Sequence, residues 1–132
     1  MKVMLDTNIC IYLIKQQPHT VIERFLSQPV GKIGITSITA AEFAFGVSKS
    51  RHASKNRHAL EQFLVPLEVV VFDQATAWSY GRLRGQLEAQ GTPIGSMDMR
   101  IAARALSLGV RLISNNIREF RRVPGLRLKN WV

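Results

Sequence analysis

The feature that most constrains this chain is its alternation of short β-forming runs with helix-length amphipathic segments. Val3–Leu5, Lys32–Thr36, Glu68–Phe72 and Val110–Ser114 read as strands, and Leu126–Leu128 as a short fifth. Helical patterns fill the intervals. Thr7 caps Asn8–Lys15, which Gln16-Gln17-Pro18 ends, and His19–Ser27 carries Val21, Ile22, Phe25 and Leu26 on one face. A helix follows from Ala40 to Ser48, then a polar, basic turn over Lys49–Lys55, then a helix over His58–Val65 that stops at Pro66. Asp73 caps a long helix closed by Gly91, and Ser96 caps another running to Leu108 and Gly109. Strands separated by helices argue for an α/β sandwich around a mainly parallel sheet. Val69-Val70-Val71 marks the third strand as a buried one.

With 132 residues, 46% of them hydrophobic, residues 1–132 suit a single domain that needs neither disulfides nor a structural metal. The lone cysteine, Cys10 between Ile9 and Ile11, excludes an internal disulfide and a CxxC zinc ribbon, and reads as a small buried hydrophobe in a reducing compartment. Asp6, Thr7 and Asn8 interrupt the apolar N-terminal run, so no signal-peptide core forms. No stretch approaches the roughly 18 apolar residues that span a bilayer. A cytoplasmic protein without membrane attachment is expected. Eighteen Lys and Arg against nine Asp and Glu give a formal charge of +9, which favours phosphate-rich partners.

On such a basic background the positions of the acids are informative. Glu23, Glu61 and Glu88 fall among polar helix residues and Glu68 opens a strand, all readable as solvated surface. Asp6, Glu42, Asp73, Asp98 and Glu119 lie instead near strand ends or helix starts, where ligands of open α/β sheets bind. Each has a structural reading as well. Asp6 is a turn or cap residue, and Thr39-Ala40-Ala41-Glu42 matches a capping box. Asp98 favours the helix dipole after Ser96, Asp73 is an N-cap, and Glu119 has Arg118, Arg121 and Arg122 beside it. Carboxylates packed together repel unless a cation neutralises them, and magnesium prefers such oxygen ligands. A metal-assisted attack on a phosphodiester is the chemistry this arrangement suits.

Other chemistries lack their signatures. His19, His52 and His58 have no metal-ligand spacing, and no GxGxxG, Walker loop or GxSxG is present. Two rivals stay open: a non-catalytic nucleic-acid-binding module whose acids are helix caps, and a phosphoacceptor domain. The second would want paired acids after the first strand, where Asp6 stands alone.

Four segments in order go beyond this chemistry. Met4-Leu5-Asp6-Thr7-Asn8 with Ile9, then Ile38-Thr39-Ala40-Ala41-Glu42 followed by Gly46, are the first two. Gly91-Thr92-Pro93-Ile94-Gly95-Ser96-Met97-Asp98 with Ile101-Ala102-Ala103 is the third. Ser114-Asn115-Asn116-Ile117-Arg118-Glu119-Phe120, with Val123-Pro124-Gly125-Leu126 and Trp131, is the fourth. Together they resemble the PIN-domain ribonucleases, particularly the VapC toxins of bacterial VapBC toxin–antitoxin pairs. The resemblance implies a three-layer α/β/α fold with a central, mainly parallel sheet. It also implies a homodimer, a VapB-like antitoxin partner, and magnesium- or manganese-dependent endonucleolytic cleavage of RNA, with a tRNA anticodon loop as the expected target. By position it makes Asp6 and Asp98 metal ligands, Glu42 the third acid and Glu119 a fourth where many relatives place an aspartate at the position of Asn116. Thr7, Asn8 and Ser114 would orient carboxylates or waters. Arg100 stands where relatives often carry an apolar or neutral residue, and is assigned either to RNA or to solvent.

Overall fold

The computed structural model describes residues 1–29 and 31–132. Strands β1 (Val3–Leu5), β2 (Ile33–Thr36), β3 (Glu68–Val70), β4 (Arg111–Ile113) and β5 (Leu128–Lys129) form one sheet in the order β3-β2-β1-β4-β5. All four strand pairings are parallel. Parallel neighbours need long crossovers, and helices supply most of them: α1 (Thr7–Lys15), α2 (His19–Leu26), α3 (Ser37–Ser48), α4 (Ala53–Leu64), α5 (Gln74–Ala89), α6 (Ser96–Leu108) and α7 (Ile117–Phe120).

Side chains alternate along each strand, and that alternation builds two separate cores. Met4 and Leu112 point to one face, where Leu83 and Leu87 of α5 and Ile101, Ala102 and Ala105 of α6 cover them. Val3, Leu5, Ile33, Ile35 and Ile113 point to the other, against Ile9 and Cys10 of α1, Val21 of α2 and the C-terminal Trp131. The expected α/β/α layering follows from these two faces. Cys10 is a fully buried free thiol whose pKa burial pushes up, the small hydrophobe anticipated. In β2, a Cβ on Gly34 would stand 2.7 Å from the Glu68 carbonyl oxygen, so only glycine lets β3 approach there.

The chain winds outward from β1 through β2 to β3, then returns to lay β4 against the free side of β1. This reversal puts a crevice beyond the carboxyl ends of β1 and β4, the place where open α/β sheets bind ligands. Asp6 N donates to the Ile113 carbonyl at 3.0 Å, locking the two strand ends together.

Several local expectations shift. Asp6, not Thr7, is the N-cap of α1: its carboxylate accepts from Ile9 N at 2.9 Å. Helix α3 begins at Ser37 rather than Ala40, because Thr36 at the end of β2 caps it by accepting from Thr39 N at 3.1 Å. Thr39 therefore lies inside the first turn, and the capping box with Glu42 does not form. Gly95, not Ser96, precedes α6, with no side-chain cap. Helix α4 starts at Ala53, since Ala53, Ser54 and Lys55 extend a helix as readily as they make a turn. Strand β3 lies at the sheet edge and ends at Val70, so Val69 within it and Val71 just beyond it are 42% and 60% exposed instead of buried. The fifth strand lies at Leu128–Lys129, and α7 was not foreseen. Asp73 does cap α5, accepting from Thr76 N at 2.9 Å, and Gly109 closes α6 with φ +68°.

Candidate active site

Beyond the carboxyl ends of β1 and β4, four acids from four elements meet. Asp6 follows β1 directly and is only 2% exposed. Burial raises its pKa, while a hydrogen bond from the fully buried Ser114 side chain and the Ile9 N–H oppose the rise; Glu42 adds repulsion. Ser114 ends β4 on the neighbouring strand, and its Oγ also accepts from Asn116 N at 2.9 Å. One hydroxyl thus ties the first acid to the turn that carries Asn116.

Asp98 occupies the first turn of α6 and is half-buried. Its pKa is pushed up to about 6, first by desolvation and then by the charges of Asp6, Glu119 and Glu42, with a hydrogen bond from Asn116 acting the other way. Four carboxylates therefore share one electrostatic neighbourhood.

Glu42 projects from α3, where the Thr7 hydroxyl donates to its Oε1 at 2.8 Å. Glu119 projects from α7 and accepts from Asn116 Nδ2 at 3.2 Å. Glu119 is half-buried, its charge acts on Asp98, and among the described residues it makes no ion pair with Arg118, Arg121 or Arg122. The amide of Asn116 lies between Glu119 and Asp98 and serves both as a neutral donor. Asn8 contributes its backbone N–H toward Asp6, while its side chain is exposed and makes no hydrogen bond among the described residues.

Asp73 stays apart. Its carboxylate is held below the usual range by the Thr76 hydroxyl and N–H, and it pairs with Arg104 at 3.4 Å. Glu23, Glu61 and Glu88 form i,i+4 contacts with His19, Arg57 and Arg84 on exposed helix faces. Arg100 packs over the Tyr80 ring at 5.5 Å, an intramolecular seat that neither reading of the sequence anticipated. Sequence reasoning also missed the Asn115 amide, which donates to the Tyr12 hydroxyl at 2.7 Å and pins the turn after β4 to α1. Residues so far apart in the chain give no local signal of that contact.

Among the described residues, no three acid, histidine or cysteine side chains are already closed into a metal-binding arrangement. Burial raises the pKa of Asp98 first, and repulsion from the three neighbouring carboxylates adds to the rise. The donor set is all oxygen, two members are held in place by Ser114 and Thr7, and the net charge of the cluster is negative. These residues fit a hard divalent cation.

A parallel sheet whose switch point gathers acids from β1, α3, α6 and α7 is the architecture of a PIN domain, and the PIN-domain profile matches residues 3–126. Ribonuclease VapC2 of Haemophilus influenzae is 44% identical over 132 residues, covering 100% of this chain and 99% of its own. The tRNA(fMet)-specific endonuclease VapC of Shigella flexneri is also 44% identical over 132 residues, with 99% and 98% covered. The structure of DNA-bound VapBC from Salmonella typhimurium superposes with a TM-score of 0.94 at 40% identity, covering 100% of this chain and 99% of that one. The chain belongs to the PIN-domain family, in its branch of VapC ribonucleases.

Proposed function

We propose that this protein is a magnesium-dependent endoribonuclease toxin that cleaves tRNA, at the anticodon loop, and so stops translation. The observation that carries the reading is the convergence of Asp6, Glu42, Asp98 and Glu119 on one crevice, where burial and then the charges of the other three acids raise the pKa of Asp98. Asp6 and Asp98 would hold the ion, and Glu42 and Glu119 would complete its surroundings directly or through water. When bound, a divalent cation supplies an activated water and neutralises charge on the phosphodiester. Ser114 fixes Asp6, Thr7 aims Glu42, and the Asn116 amide, donating to both Glu119 and Asp98, offsets part of the repulsion between them. Manganese, with similar oxygen preference, is expected to substitute.

The +9 charge favours a polyanionic substrate reaching an acidic crevice that would repel it locally. A single-stranded loop can splay its backbone into such a crevice more readily than an A-form duplex. The Shigella relative is named for initiator tRNA, which makes that tRNA the first substrate to try. Solved relatives are VapBC complexes, which supports a VapB-like antitoxin as the partner that blocks the crevice. No described helix is long and apolar enough to cross a membrane, and a cytoplasmic site of action suits a tRNA substrate. Phe45 on α3 and Trp78 on α5 are 66% and 67% exposed, the kind of aromatic surface a second copy would cover in a homodimer.

Purified protein incubated with initiator tRNA and Mg2+ is expected to yield two fragments, with none in EDTA. Intact tRNA that is nonetheless retained by the protein would favour the binding-module alternative. Light scattering on the same sample is expected to return twice the chain mass, and a monomer mass removes the homodimer from the proposal.

A further inference from the structure

We propose that Thr39 is a positioning residue of this site: its hydroxyl is a second acceptor for the Thr7 hydrogen, and so allows Glu42 to leave Thr7 for the cation. The proposal rests on the reading of the crevice as a metal-dependent nuclease site.

Thr39 is fully buried in the first turn of α3 and is not the helix cap. The Thr7 hydroxyl is placed to donate in two directions, to Glu42 Oε1 at 2.8 Å and to Thr39 Oγ1 at 3.2 Å. A threonine hydroxyl has one hydrogen. Without a cation, the charged and nearer carboxylate is the stronger acceptor and takes it. When Glu42 turns an oxygen to a cation or its water, Thr7 would be left with a hydrogen and no carboxylate to receive it. Rotation about its Cβ–Oγ bond alone then carries the hydrogen to Thr39, and no heavy atom has to move.

Thr39 is suited to that role in two ways. Its oxygen has two lone pairs, and the Thr36 hydroxyl, donating at 3.4 Å, engages only one. Its backbone is fixed as well, because Thr39 N donates to Thr36 Oγ1 at 3.1 Å at the end of β2. The acceptor is thus anchored to the sheet while Glu42 is free to reorient. A merely space-filling Thr39 would be served as well by valine, which has the same shape and no hydroxyl.

The test uses the full chain, purified metal-free, titrated with MgCl2 and read both by the rise in Tm and by cleavage of initiator tRNA. Thr39→Val is expected to need about 10-fold more Mg2+ for half of each response, the scale seen when outer partners of metal sites are removed. The KM for RNA is expected to stay constant, and Thr39→Ser to titrate like wild type. A Thr39→Val protein with the wild-type Mg2+ midpoint overturns the proposal, and so does a Thr39→Ser protein displaced as far as valine. Should valine prevent folding, Thr39→Ala is compared alone and with Thr7→Val, which removes the hydrogen in question. The proposal expects the alanine shift to vanish in the second background, and an equal shift in both overturns it. A wild-type protein whose Tm ignores Mg2+ overturns the reading of the site itself, whereas a responsive wild type with an indifferent Thr39→Val overturns only the role of Thr39.

Discussion

Asp98→Asn is expected to reduce cleavage by about 100-fold or more, beyond the roughly 10–100-fold typical of losing an outer partner of a metal site. The substitution keeps the size of the side chain and its place in the first turn of α6, but removes one of two carboxylates assigned to hold the ion. Folding gives the complementary reading. Asp98 has a pKa of about 6 in the folded protein against an ordinary 3.8. A carboxyl that binds its proton more tightly when folded stabilises the fold at low pH. That contribution is fully present below about pH 4 and is lost as pH rises toward and through 6. Metal-free wild type should therefore lose stability over this window relative to Asp98→Asn, which has no proton to release. At neutral pH the variant should melt higher than metal-free wild type, and Mg2+ should raise wild type more than the variant. Thermal melts at pH 4, 5, 6 and 7 with and without Mg2+ measure both. Wild-type cleavage in the variant would remove Asp98 from the ligand set, and a collapse of folding would make it structural instead.

The placement of the acids was legible because sheet topology is a coarse property. Asp6 directly after Val3–Leu5 and Asp98 at the head of α6 had to fall at one end of a parallel sheet, whatever the register. Cap assignment is finer, and there the sequence misled. Thr36, Ser37 and Thr39 can each cap a helix, and the Thr39-to-Glu42 spacing matches a capping box. Which hydroxyl meets the first free N–H depends on where β2 stops, and pairing with β1 and β3 sets that. Once Thr36 takes the cap, Thr39 turns inward and Glu42 is released toward the crevice. The same limit explains β3. Three valines announce a strand, but its position at the sheet edge follows from the order of the other strands. Asn116 is the third case: a neutral residue at a position often acidic reads as a loss of charge, and only the fold shows its amide between Glu119 and Asp98.

That amide makes the second large effect predictable. Glu119→Gln should lower cleavage by about 10–100-fold, less than Asp98→Asn, because Glu119 is expected to act from the outer surroundings of the ion. Folding should change little. Glu119 is half-buried, its side-chain contact is with Asn116 at 3.2 Å, and no described arginine pairs with it. A glutamine can still accept from Asn116, so the local geometry survives while the charge goes. Asn116→Asp tests the same place from the opposite side. It exchanges a donor that relieves Asp98 for another carboxylate, so it should raise the Asp98 pKa further and destabilise the metal-free protein at neutral pH. With Mg2+ present the added charge should tighten ion binding, seen as cleavage saturating at lower Mg2+. The two variants compared at limiting Mg2+ separate the possible sites. A silent Glu119→Gln together with a tighter Asn116→Asp would leave Asp6, Glu42 and Asp98 as the working acids. An impaired Glu119→Gln, restored in the double variant with Asn116→Asp, would show that the crevice needs a fourth negative charge and that either α7 or the turn before it can carry it.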